Sequence, residues 1–161
     1  MAHRKLSHSN KLYPAADPLE QAAIRFLARR DRTEAHMRAY LAKAGATPAH
    51  AQAIISSLRT RRYLNDTAYA LKWARARLVR RPMGRDRLEA ELHGQGMDAA
   101  TVTRTLDVVY DETSERELAH RLMARTLPSP ALLRRHGFSE EIIETFFGEA
   151  QLAERSCFSG V

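Results

Sequence analysis

The residues best suited to chemistry in this chain are cationic. Lys72, Arg75, Arg77, Arg80, Arg81, Arg85 and Arg87 fall between positions 72 and 87, where Asp86 is the one acid. Arg61 and Arg62 lie just upstream. Guanidinium and ammonium groups at this density suit phosphates or an acidic groove. At helical spacing Trp73, Arg77 and Arg80 share a flank, while Leu71, Ala74 and Leu78 face inward. The other cations spread around the circumference, so the strip reads either as a binding surface or as a solvated helix. Trp73, at the margin of the apolar stripe, is a packing residue first and a base-stacking residue second. Arg59, Arg61 and Arg62 end a helix, where the negative pole of its dipole explains them as well as a ligand does. Arg4, Lys5 and Lys11 form a basic arm able to attract polyanions without specificity. The acidic stretch Asp107, Asp111, Glu112, Glu115 and Glu117 reads as solvated surface, as a patch repelling DNA, or as one attracting a basic partner.

Groups for catalysis do not converge. The seven histidines are scattered and make no H-E-x-x-H or comparable metal spacing. No G-x-S-x-G, no G-x-x-x-x-G-K and no G-x-G-x-x-G occurs, and Gly94-Gln95-Gly96 reads as a helix end. Glu89 and Glu91, two apart on a helix, point to different sides. Cys157 alone builds neither a disulfide framework nor a thiolate metal site. The expectation is a binding protein, not an enzyme, with no cofactor and no metal.

The elements that must carry these cations are helical. The chain of 161 residues has 26 Ala and 18 Leu but 5 Val and 5 Ile, a balance that favours helix over sheet. No apolar run is long enough for a membrane span and no signal sequence opens the chain, so a cytoplasmic protein with no membrane partner is expected. The string LAKAGAT (Leu41 to Thr47) recurs as LHGQGMD (Leu92 to Asp98) and LRRHGFS (Leu133 to Ser139), each reading L-x-x-x-G-x-[TDS]. Gly45, Gly96 and Gly137 can take the left-handed conformation that ends a helix, and Thr47, Asp98 and Ser139 can cap the next. Apolar residues then recur at helical offsets: Ala51, Ile54, Ile55 and Leu58; Val102, Thr105, Leu106 and Val109; Ile143, Phe146 and Phe147, with Gly148 closing the last.

Each unit also has a helix upstream of the one that carries its Leu. Leu19, Ala23, Phe26 and Leu27 make one stripe before the polar break Arg30-Asp31-Arg32, and Met37, Tyr40 and Leu41 make the next. Asn65 and Asp66 cap a helix that Pro82-Met83-Gly84 interrupts, with Leu88 and Leu92 beyond. Ser114 and Glu117 form a capping-box pair before Leu118, Leu122 and Met123, and Pro128-Ser129-Pro130 precedes a short helix through Leu133. The fold expected is all-α: three tandem three-helix repeats in an elongated curved array. Its divisions are a basic arm at 1–17, repeats at 18–64, 65–112 and 113–149, and a tail at 150–161.

With the repeat in view, a resemblance becomes specific. YLNDTAYALKWARAR (Tyr63 to Arg77), then GRDRLEAELHGQGMD and later LLRRHGFSEEII, resembles the RecX family, regulators of the bacterial recombinase RecA. It runs from about residue 18 to 149 and includes Gly84 before the fifth helix; His136 stands where the family usually has Arg, and Gln95 where Lys is common. The resemblance implies a bent array of three-helix repeats that binds the groove of the RecA–DNA filament. It also implies inhibition of RecA's ATPase, strand-exchange and co-protease activities, and so modulation of recombination, DNA repair and the SOS response. The partners implied are the RecA filament and, weakly, single- and double-stranded DNA, met by a monomer. Residues 1–81 carry 17 Lys/Arg against 5 Asp/Glu and residues 82–161 carry 9 against 14, which suggests an electrostatically polarised molecule. The rival expectation is a helix-turn-helix-like protein that binds DNA directly, without RecA.

Overall fold

The computed structural model describes residues 17–148; the basic arm's Arg4, Lys5 and Lys11, and Cys157, lie outside them. Among the described residues there are nine helices and no strand. In the first unit, α1 is Pro18–Leu27, α2 Glu34–Lys43 and α3 Pro48–Thr60. In the second, α4 is Asp66–Arg80, α5 Arg85–Gly94 and α6 Ala99–Glu112. In the third, α7 is Glu115–Met123, α8 Pro130–Arg135, and α9 runs from residue 140 to the last described residue, 148. Gly148 is therefore still helical rather than the stop its residue type suggested.

Local chemistry starts and stops these helices. Gly45, Gly96 and Gly137 have φ of +88°, +79° and +74°. At each, the amide of the following residue returns to the repeat's Leu: Ala46 to Leu41 at 3.0 Å, Met97 to Leu92 at 3.4 Å, Phe138 to Leu133 at 3.2 Å. A fourth end has the same form without a glycine. Arg62, four residues after Leu58, sits at φ +60°, and the Tyr63 amide donates to the Leu58 carbonyl at 2.8 Å. A left-handed non-glycine residue costs about 1 kcal/mol, so packing or function must hold Arg62 there. Arg62 thus lies beyond α3, whose last turn holds Arg59 and whose C-cap is Arg61.

The buried faces form two cores. Ala23, Met37, Leu41, Ala51, Ile54, Ile55, Leu58 and Leu64 gather within the first unit. The second and third units share the other, from Ala70, Ala74 and Leu78 through Leu88, Leu92, Val102, Leu106 and Val109 to Leu118, Leu133, Phe138 and Ile143. On α4 Ala74 and Leu78 face inward as expected, but it is Ala70 that is fully buried, while Leu71 is only partly so. Each fully buried leucine stabilises by roughly 1.5–3 kcal/mol relative to exposure.

Two joints connect the units. Thr33, fully buried, caps α2 through its Oγ1 and also donates to the Gln95 carbonyl at 3.1 Å, joining the first unit to the end of α5. Beside it, the Asp66 carboxylate accepts from the Glu34 amide at 2.9 Å. At the other joint, the Gly84 amide donates to the His136 carbonyl at 2.9 Å, placing the start of α5 on the end of α8.

Candidate functional site

The cations of α4 and α5 are positioned by two rigid helices, yet most are already partnered. Lys72 Nζ lies 2.7 Å from Asp31, and Arg75 forms a two-pronged pair with Glu112. Arg77 grips Glu91 with Nε at 2.6 Å and Nη2 at 2.9 Å, and Arg87 Nε reaches the same carboxylate at 3.3 Å. Arg85 pairs with Asp107 at 2.5 Å while its amide donates to Glu115 at 3.1 Å. Arg61 pairs with Glu20 at 3.2 Å. Among the described residues, Arg62, Arg80 and Arg81 have no carboxylate partner; Arg80 Nε donates to the Ala76 carbonyl at 3.3 Å.

This pairing revises the electrostatic picture. Part of the acidic stretch is engaged: Glu112 and Asp107 of α6 pair with Arg75 and Arg85, and Glu115 at the start of α7 accepts from the Arg85 amide. Two ion pairs, Arg75 with Glu112 and Arg77 with Glu91, join the basic half of the chain to the acidic half across the fold. Arg77 holds the Glu91 carboxyl below the ordinary glutamate range despite partial burial, and Arg75 does the same for Glu112. Most of these pairs are solvent-exposed and individually weak, so a phosphate can take over either cation at modest cost. Glu91 serves two guanidiniums with one charge, which leaves local positive charge uncompensated. Beside it, Trp73, Arg77, Arg80, Glu91 and Gln95 line a depression of about 380 Å³. Trp73 forms a wall of it while packing partly on the core.

The helix-end residues are placed as follows. Thr47 Oγ1 accepts from the His50 amide at 3.3 Å, Asp98 Oδ1 from Thr101 at 3.0 Å, and Ser139 Oγ from Ile142 at 3.4 Å. Asn65 Oδ1 caps α4 through the Ala68 amide at 2.9 Å. Asp66 does not share that task. Its carboxylate turns to the N-terminus of α2, and burial, with Asp98 nearby, raises its pKa. Gly84 is the N-cap of α5, with φ −79°, so space rather than conformation demands glycine there. A β-carbon would come closer than 3.0 Å to the Gly137 carbonyl and to Phe138 Cα.

Sequence reasoning missed Arg32, which reads as part of a polar break. Its guanidinium lies 4.7 Å from the centroid of the Phe26 ring, which itself stacks on Tyr40 at 4.1 Å. Its Nε is buried without a hydrogen-bond partner. A cleft of about 190 Å³ brings Arg32 together with Arg62 and Lys72, residues far apart in sequence. For Arg62, already counted among the candidate cations, the helix end was marked by Leu58 four residues before it, the spacing of the three glycine ends. On α3, the N-terminal half that would read a DNA groove is turned to local partners: His50 Nε2 lies 2.6 Å from Asp17, and Gln52 accepts from Arg38 at 3.4 Å. No group of His, Cys, Asp and Glu among the described residues could hold a metal ion, and no described helix is long and apolar enough to cross a membrane.

Known proteins similar to this chain agree with one another. Residues 21–58 match the family described as RecX, first three-helix domain. A regulatory protein RecX of Treponema pallidum is 29% identical over 125 residues, 78% of this chain and 72% of that protein. One from Leptothrix cholodnii is 27% identical over 78% of this chain and 84% of its own. One from Mycolicibacterium vanbaalenii is 32% identical over 62% of this chain and 54% of its own. Among solved structures, RecX from Lactobacillus salivarius superposes with a TM-score of 0.70 at 23% identity, covering 83% of this chain and 95% of that one.

Proposed function

The chain belongs to the RecX family, and from that premise we propose that it regulates the RecA recombinase by lodging in the groove of the RecA–DNA filament. The observation that carries the reading is the uncompensated cationic surface at the middle of the helical array. Arg80 and Arg81 lack acidic partners, and Arg77 and Arg87 share one carboxylate. Held on α4 and at the start of α5, these charges face an acidic groove or a phosphate without first having to be ordered. Spanning neighbouring protomers, the array hinders the movements tied to ATP turnover. By filling the groove it excludes incoming duplex and repressor substrates, so strand exchange and co-protease activity fall together. The protein acts as a monomer in this reading and contributes no chemistry of its own.

The test is DNA-dependent ATP hydrolysis by the host's RecA, titrated with this protein, beside binding to bare single-stranded and duplex DNA at matched salt. Inhibition is expected well below the concentration that coats bare DNA. Inhibition only at DNA saturation would assign the protein to direct DNA binding instead. Arg80→Glu with Arg81→Glu is expected to weaken inhibition about tenfold while leaving helicity unchanged. Arg77 is left out of that variant because reversing its charge would set two carboxylates against each other at Glu91.

A further inference from the structure

The cleft between the first and second units holds a non-glycine residue in the left-handed region and a buried polar atom without a partner. At the end of α3, the position that is glycine at the other three left-handed ends is Arg62, held at φ +60°. Across the cleft, Arg32 has a buried Nε with no hydrogen-bond partner. Both side chains line the same cavity of about 190 Å³. Lys72 completes the cationic set, and its partner Asp31 is the one carboxylate lining that cavity. Three cations thus face one exposed carboxylate, an excess that calls for an anion. Asn65 also lines the cleft, and since its Oδ1 caps α4, its amide NH₂ remains available as a donor. Tyr63 and Tyr69 flank these groups, and Tyr63 is about half exposed, 48%, with Arg61 over its ring.

We propose that this cleft binds a backbone phosphate of single-stranded nucleic acid, with Arg32 and Arg62 as its guanidinium ligands and Lys72 exchanging Asp31 for the phosphate. The volume admits one phosphate group rather than a duplex. The two tyrosine rings supply apolar walls for the adjoining sugar or base, which an unpaired strand can present and a stacked helix cannot. The helix-end hydrogen bonds fix the Arg62 backbone, which sets where its exposed side chain leaves the chain, and Arg32 is seated on Phe26. The site adds a nucleic-acid contact to the regulatory reading above, but it requires no RecA, so the two stand or fall separately.

The test uses the full chain and a fluorescent oligo-dT, with no RecA present. Arg62→Gly removes the cation while keeping, or easing, the left-handed backbone, so its melting temperature should hold or rise. Arg32→Met keeps the stem on Phe26. Each is expected to weaken binding about tenfold and to lower the slope of log affinity against log salt by about 0.7. Arg125→Gln, which removes one unpaired charge from the loop after α7, is expected to change affinity less than about twofold, as for a screened surface charge. Inorganic phosphate should displace the oligonucleotide better than chloride at equal ionic strength. Affinities of the Arg62 and Arg32 variants no weaker than that of Arg125→Gln would overturn the site. Equal displacement by phosphate and chloride would do the same, and displacement by a polyglutamate peptide as effective as by unlabelled oligo-dT would assign the cleft to an acidic protein partner.

Discussion

Replacing Gly84 with alanine should separate the third unit from the second. The added methyl would sit closer than 3.0 Å to the Gly137 carbonyl oxygen and carbon and to Phe138 Cα, all backbone atoms that cannot rotate aside. Relief requires the α8–α9 turn to withdraw, which stretches the 2.9 Å bond from the Gly84 amide to the His136 carbonyl. Overpacking costs about 1–3 kcal/mol and a lost backbone hydrogen bond about 1 kcal/mol more. A total near 3 kcal/mol is a large share of the roughly 5–15 kcal/mol that holds a domain folded. It corresponds to a drop in melting temperature of about 6–12 °C for a chain of this size. The matched control is Gly94→Ala on α5, where a β-carbon meets nothing within 4 Å. There a helical residue gains propensity, so stability should rise by about 0.5–1 kcal/mol. Urea titration followed by circular dichroism gives both values. The fluorescence of Trp73, the sole tryptophan and partly packed on the core shared by the second and third units, reports the same transition locally. A Gly84→Ala variant within about 0.5 kcal/mol of the parent, below ordinary overpacking costs, would refute the reasoning. It would show that the turn yields freely and that glycine is not required for close approach.

Two further outcomes follow from named contacts. Thr33→Val removes both the cap of α2 and the bond to the Gln95 carbonyl, and should cost about 2 kcal/mol in denaturant titration; an unchanged midpoint would mean that the first unit docks without it. Glu91→Gln weakens the shared acceptor of Arg77 and Arg87 and should cost about 1–2 kcal/mol at neutral pH. Because Arg77 lowers the folded-state pKa of Glu91, that carboxylate's contribution is present above the ordinary glutamate range and is lost as pH falls through the lowered value. The gap between parent and variant should therefore narrow as pH falls below the ordinary glutamate range, and a gap independent of pH would show that the charge of Glu91 is not what stabilises.

Much of the fold was legible because helix ends are local events. A glycine free to take positive φ, followed two residues on by Thr47, Asp98 or Ser139, stops one helix and starts the next within a few residues. Neither step needs the rest of the chain. The apolar offsets after each cap were equally legible, since 3.6-residue periodicity places them on one face whatever they pack against. Arg62 escaped that reading because its residue type argues against the conformation it adopts, although Leu58 stands at the repeat's spacing before it.

The sequence by itself determined the all-α class, the three tandem units, the glycine helix ends and the residues able to cap them, because each depends on interactions spanning only a few positions. Only the tertiary structure decided which charges remain available. Pairing of Arg75 with Glu112, Arg85 with Asp107 and Lys72 with Asp31 joins residues 22 to 41 positions apart. The same holds for the turn of Asp66 to the Glu34 amide, the approach of Gly84 to Gly137, and the meeting of Arg32 with Arg62. A linear sequence records that such groups exist, but electrostatic and steric interactions act over distances in space, and those distances exist only once the helices have packed.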